Sequence, residues 1–171
     1  HGSDAHIASE LVGLEPDDLV IDIGCGPGTA VRHAARTATA TGIDPAPTML
    51  RVARWLSFGR RSATYLEGTA EDLRLPDHSA TAAWALATVH HWSNLAGSAA
   101  EIHRVLRPGG RFVAIERHTV PGATGLASHG WTDAQAEAYG ELLTAAGFSD
   151  ATVSRHPGRK RNLIAVRAIA A

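Results

Sequence analysis

Apolar residues along this chain fall into short continuous runs separated by stretches in which they recur at helical spacing. Leu19–Ile23, 38–43, Ala63–Glu67, 81–86 and 111–115 are rich in β-branched or small apolar residues, which predicts buried strands. Between them the spacing changes. Ile7, Leu11 and Leu14 predict a short helix over 5–14, within an opening segment 1–18, and 29–36 is helix-forming. Met49, Val52, Ala53 and Leu56 give one apolar helix face, with Thr48 as its cap. Leu95, Ala99, Ile102 and Leu106 predict a helix over 95–106, with Asn94 as N-cap. Thr132 followed by Gln135 is a capping-box pattern, opening a helix that Gly147 terminates. Strands alternating with helices in this way call for a parallel sheet with helices on both faces. After residue 117 the rhythm loosens. The stretch 117–130, with three glycines, Pro121, His118 and His129, reads as a loop above the carboxyl edge of the sheet. The stretches 148–154 and 162–168 read as two strands joined by a basic turn.

The densest stretch is VIDIGCGPGTA, from Val20 to Ala30. Gly24, Gly26 and Gly28 follow an apolar strand at alternate positions, and a helix starts at once. A turn this tight needs positive φ angles, and a backbone without Cβ lets a ligand approach closely. Asp22 lies just before the glycines, and Asp44 ends the next apolar run, about twenty residues past the first glycine, where a βαβ unit places an acceptor for ribose hydroxyls. A nucleoside pocket is implied. The spacing is GxGxG, not the GxGxxG that seats a pyrophosphate, and Asp22 would repel phosphate and favour an ammonium. An NAD-dependent oxidoreductase therefore fits the βαβ unit but neither the glycine spacing nor Asp22.

This stretch resembles motif I of the class I S-adenosylmethionine-dependent methyltransferases, in the subgroup with the small-molecule type 11 pattern. LRPGG at 106–110 resembles another signature of that family, and GTAED at 68–72 resembles the segment that closes over adenine. The resemblance spans nearly the whole chain. It implies an α/β fold: a three-layer Rossmann-like sandwich with a mostly parallel seven-stranded sheet and an antiparallel C-terminal hairpin. It also implies S-adenosyl-L-methionine as cofactor. Asp22, Gly24, Cys25 and Gly26 would hold its methionine end; Asp44, with Pro45 and Met49 after it, its ribose; Thr69, Ala70 and Glu71 its adenine edge. Ala85 and Leu86 would line the same pocket from the end of the fourth strand. An aspartate is common where Thr69 stands, so Glu71 is the acceptor expected for the exocyclic amine. On the substrate side the expected residues are His91, as a candidate general base, His118 and Trp131; Trp131 and His129 read either as a lid over substrate or as packing at the start of a helix. The sequence departs from the family at Thr81, where an aspartate often begins strand four, at Leu86, and in its short front. The acceptor site is then open, or closed by a second subunit in a homodimer, or the chain is cut short there.

Length and composition limit the alternatives. The chain has 171 residues, 44% hydrophobic and 19% charged, with a formal net charge of −1, which suits one domain over 1–171 and gives no general electrostatic attraction to nucleic acid or an anionic membrane. Cys25 is the single cysteine, so no internal disulfide forms and a cytoplasmic setting is expected. No apolar run approaches the ~20 residues of a membrane span. His1-Gly2-Ser3 reads as a cloning remnant. His90-His91 invites a metal reading, but adjacent residues on a strand or loop project to opposite sides and no Cys or carboxylate stands at a ligand spacing, so no metal is expected. Trp92 reads as packing, Cys25 as a small turn residue, and the basic turn 155–161 as a solvated hairpin tip. No GxSxG elbow occurs. The expected activity is methyl transfer by in-line displacement to a small-molecule acceptor. Its rival is a protein that binds S-adenosylmethionine or S-adenosylhomocysteine without catalysis.

Overall fold

The computed structural model describes residues 2–124, 129–157 and 161–171. Its strands are β1 (Leu19–Ile23), β2 (Thr39–Asp44), β3 (Ala63–Glu67), β4 (Ala80–Leu86), β5 (Leu106–Arg117), β6 (Phe148–His156) and β7 (Leu163–Ala170). They form one seven-stranded sheet in the order β3-β2-β1-β4-β5-β7-β6. β1 to β5 run parallel, and β7 lies antiparallel to both β5 and β6. The expected mostly parallel sheet with a C-terminal hairpin is therefore what the chain forms. After β3 the chain crosses back to the other side of β1, which opens a crevice at the carboxyl ends of β1 and β4, where open α/β sheets bind ligands.

Helices cover both faces. α1 (Gly2–Val12), α2 (Thr29–Ala34) and α3 (Pro47–Leu56) pack on one, and α4 (Leu95–Val105) and α5 (Asp133–Ala145) on the other. Successive side chains of a strand point to opposite faces, so Ile21, Ile23, Ala83, Phe112 and Ala114 enter one core while Val20, Ala82, Trp84, Val113 and Ile115 enter the other. Burial on both sides is why these strands are continuous apolar runs and not alternating ones. Asn94 caps α4 by accepting from Gly97 N–H at 2.9 Å, and the Thr132/Gln135 box opens α5 in both directions. The expected tag residue His1, the loop residues 125–128 and the hairpin-tip residues 158–160 lie outside the described residues.

Three sequence expectations change. The apolar face read along α3 is not the one that packs: Leu50 and Ala53 are buried, whereas Met49, Val52 and Leu56 are exposed. Thr48 is not its cap, because the helix starts at Pro47 and Asp44 Oδ1 accepts the Ala46 N–H at 2.8 Å. The Pro-Gly-Gly segment is an excursion within β5 and not a turn before it. Ala80 pairs with Leu106 and Ala82 with Arg111, so 107–110 bulge out, with Gly109 at φ 78°. Thr81 has a structural post at the opposite edge from the crevice. Its hydroxyl donates to Asp18 Oδ1 at 2.6 Å and accepts the Leu19 N–H at 2.9 Å, and Asp18 also pairs with Arg111.

Candidate cofactor site

The glycine turn joins β1 to α2 with Gly24, Gly26 and Gly28 at φ 73°, 51° and 76°, a region that side chains rarely adopt. Gly24 and Cys25 N–H both donate to Ile43 O, at 2.8 and 3.0 Å, which ties the turn to the end of β2. The three glycines do different work. A Cβ on Gly24 would run into the Thr88 side chain, and one on Gly28 into the Tyr65 ring, so both make room for protein. A Cβ on Gly26 would meet nothing within 4 Å, so only there does the backbone face open space that a ligand can enter. Cys25 is buried, which pushes its thiol well above the usual cysteine range and leaves it a turn residue without a reactive thiolate.

Asp44 clamps the two loops together. Its Oδ2 accepts the Gly26 N–H and its Oδ1 the Ala46 N–H, both at 2.8 Å, and each oxygen keeps a lone pair for a further donor such as a ribose hydroxyl. Asp22 is 2% exposed, and burial, followed at a distance by the Asp44 charge, raises its carboxyl to about 7. The Trp84 indole N–H leans toward this carboxylate without completing a hydrogen bond, and Asp22 Oδ2 stays unpaired among the described residues. A buried acceptor without a donor is costly, and a cationic ligand in the crevice would satisfy it.

Two cavities of about 260 Å³ each meet along Gly24, Thr88 and His91. Together they fall in the roughly 300–1,000 Å³ range of small-molecule sites. The first is lined by Asp22, Cys25, Gly26, Asp44 and Leu86, the second by Pro45, Thr69, Ala70, Glu71 and Trp92. Most of the expected cofactor residues are thus gathered around one elongated hollow. Ala85 and Met49 are not: Ala85 is fully buried in the sheet core, and Met49 sits on the outer surface of α3. The ligand-sized hollow, the unpaired Asp22 oxygen, the open face of Gly26 and the spare lone pairs of Asp44 fit a long nucleoside with a cationic end.

Beside this hollow the structure builds a cluster that sequence reading missed. His90 and His91 lie on a 3₁₀ turn, Val89–His91, so they do not diverge; their rings are 3.9 Å apart. His129 joins them, 5.6 Å from His90 and 6.4 Å from His91. Glu116, from β5, is 1% exposed; it accepts the Val89 N–H at 2.8 Å and meets His90 Nδ1 at 2.9 Å. Burial raises the Glu116 pKa against the opposing pull of His90. Its signal was available: it is an acid at the carboxyl end of a buried strand, the same rule that picked out Asp22 and Asp44. Ala87, at φ 54°, kinks the chain out of β4 and brings Thr88 over Gly24. His118 and Trp131 line neither cavity. His118 pairs with Asp133 at 3.3 Å, and Trp131, 5% exposed, packs 4.9 Å from the Tyr139 ring.

Comparison with known proteins agrees with this geometry. Residues 21–114, more than half of the chain, match the family model described as a methyltransferase domain. The chain belongs to that methyltransferase family. This methyltransferase domain is 38% identical over 117 residues to the demethylmenaquinone methyltransferase of Tropheryma whipplei (strain Twist), covering 66% of this chain and 48% of that protein. It is 36% identical over 110 residues to the malonyl-[acyl-carrier protein] O-methyltransferase of Serratia marcescens, covering 61% of this chain and 41% of that protein. The chain spans about half the length, or less, of these curated relatives. The crystal structure of a SAM-dependent methyltransferase from Aquifex aeolicus shares its fold, with a TM-score of 0.82 at 18% identity over 98% of this chain and 90% of that one. Among the described residues no helix is long and apolar enough to cross a membrane.

Proposed function

We propose that this methyltransferase domain transfers a methyl group from S-adenosylmethionine to a small organic acceptor. The observation that carries the reading is the hollow at the carboxyl ends of β1 and β4, with Asp22 and the open face of Gly26 at one end, Asp44 between, and Thr69 to Glu71 at the other. S-adenosylmethionine would supply a methyl carbon already activated by a sulfonium. Asp22 and the Gly26 backbone would hold its amino-acid end, Asp44 its ribose, and Glu71 the amine edge of its adenine. His91 borders both cavities, which supports a place for it near the transferable methyl. What this chain contributes is then chiefly alignment, which supplies about 7–11 kcal/mol of a barrier in favourable cases. Where the acceptor carries an O–H or N–H, His91 is the base within reach. The relatives are named for acceptors as different as a quinone precursor and a carrier-bound malonyl group, which supports a small organic acceptor as the class.

Calorimetric titration with S-adenosylmethionine, S-adenosylhomocysteine and NAD, followed by an acceptor panel read by S-adenosylhomocysteine release, tests this. Binding of the first two and release of the second on at least one acceptor are expected. Preference for NAD would refute the cofactor. Tight cofactor binding with no release across quinones, phenols, amines and carboxylates would instead make the chain a binding protein. His91→Ala is expected to lower turnover and leave cofactor affinity intact.

A further inference from the structure

The helix at the rim of the cofactor site turns an unusually apolar surface outward. On α3 the buried positions are Leu50 and Ala53, with Ser57 just after it, while the adjoining stripe holds Met49, Val52 and Leu56 at 43%, 44% and 43% exposure. Trp55 stands beside them at 76%, and Phe58, just past the helix, is 93% exposed. Of the seven large hydrophobic residues exposed among the described residues, five lie within these ten positions, so the exposure is a patch and not the usual scatter. The same stretch, 47–61, contains Arg51, Arg54, Arg60 and Arg61 and no acidic residue. All four arginines are exposed, and none is in an ion pair among the described residues. Arg54 donates to the Tyr65 carbonyl at 2.9 Å. The overall charge of −1 conceals this local excess of four positive charges.

We infer that α3 and the turn after it form a docking surface for an anionic lipid membrane. An aromatic and aliphatic stripe flanked by arginines lets the apolar side chains enter the headgroup boundary while the guanidinium groups meet lipid phosphates. The uniform sign of the charge selects the occupant. A second copy docked about a twofold axis would set these arginines against one another, a like-charge contact that an anionic surface replaces with attraction. The placement also serves the site. Pro45, one residue before the helix cap, lines the second cavity, so a helix about 15 Å long lying along the membrane keeps the cavity rim beside the lipid. An acceptor that partitions into lipid would enter from that side. The docking goes beyond the reaction class and would hold equally for a protein that binds the cofactor without turning it over.

Co-sedimentation of the chain with phosphatidylcholine vesicles, with and without phosphatidylglycerol, tests it without reference to turnover. Partition onto the phosphatidylglycerol vesicles, weakened by high salt, is expected. The pair Trp55→Ser and Phe58→Ser should reduce it about tenfold or more. The triple change Arg51→Gln, Arg60→Gln and Arg61→Gln should reduce it on the order of a hundredfold at low salt. All of these positions are exposed, and an unchanged S-adenosylhomocysteine affinity confirms that each variant is folded. No partition onto either vesicle overturns the inference, and so does equal partition by the Trp55 and Phe58 variants. A concentration-dependent dimer that Trp55→Ser dissociates, in a chain that ignores vesicles, overturns it in favour of a self-interface.

Discussion

The raised carboxyl of Asp22 makes cofactor affinity depend on pH in a way that can be worked out beforehand. Burial lifts this group from an ordinary value of 3.8 to about 7. The α-ammonium of an amino-acid end bound nearby needs the ionised form, so below the raised pKa binding must first remove a proton. Each pH unit then costs tenfold, and between about pH 7.5 and pH 5.5 the affinity should fall on the order of 25-fold. The same shift fixes the sign for stability. The native carboxyl holds its proton more tightly than the unfolded one, so its contribution is complete below the ordinary carboxylate pKa and is lost as pH rises through about 7. Roughly three pH units at about 1.4 kcal/mol each put that loss at ~4 kcal/mol as an upper bound. Asp22→Asn abolishes both effects: affinity for S-adenosylhomocysteine becomes weaker but insensitive to Asp22 titration, and the empty protein gains stability above neutral pH. Calorimetry in buffers of different ionisation enthalpy counts the protons released. A wild-type affinity that stays flat over this range would refute the reasoning, as would an Asp22→Asn variant that keeps the full slope.

Asp44→Ala removes a ribose acceptor and the clamp between Gly26 and Ala46, and cofactor affinity should weaken by about 1.5–3 kcal/mol in the same titration; unchanged affinity would take Asp44 out of the site. Gly28→Ala and Gly26→Ala should separate in urea unfolding. Gly28→Ala meets the Tyr65 ring at a positive φ and should cost about 2–4 kcal/mol, whereas Gly26→Ala pays the backbone cost alone, about 1–2 kcal/mol, and shows its larger defect in cofactor binding. Glu116→Ala leaves the buried Val89 N–H without its acceptor and should destabilise by about 1–3 kcal/mol, while Glu116→Gln keeps an acceptor there and should cost less. Equal losses for both would show that the carboxylate charge beside His90, and not the hydrogen bond to the backbone, is what matters.

The strands and the glycine turn were legible in the chain because their causes are local. A strand buried on both faces must be a short apolar run, and a turn of three glycines next to two acids states its own backbone angles and charge. Asp44 could be placed from spacing alone, since a βαβ unit fixes how far the second strand end lies from the first. The Glu116–His90 contact could not. It joins residues 26 apart and exists because β5 sits in register beside β4, with Ile115 opposite Leu86, so that the next residue of β5 reaches under the turn that follows β4. The surface of α3 escaped for a different reason. Its sequence carries two adjoining apolar stripes, and helical periodicity reports that both exist without saying which one the sheet will cover. Trp131 was likewise open to a place over the substrate or under a helix, and in the fold it is buried against the Tyr139 ring. Local geometry and burial pattern are written along the chain, whereas the partner of each side chain depends on strand register and on which helix face wins the core, and those are decided only when all the elements pack at once.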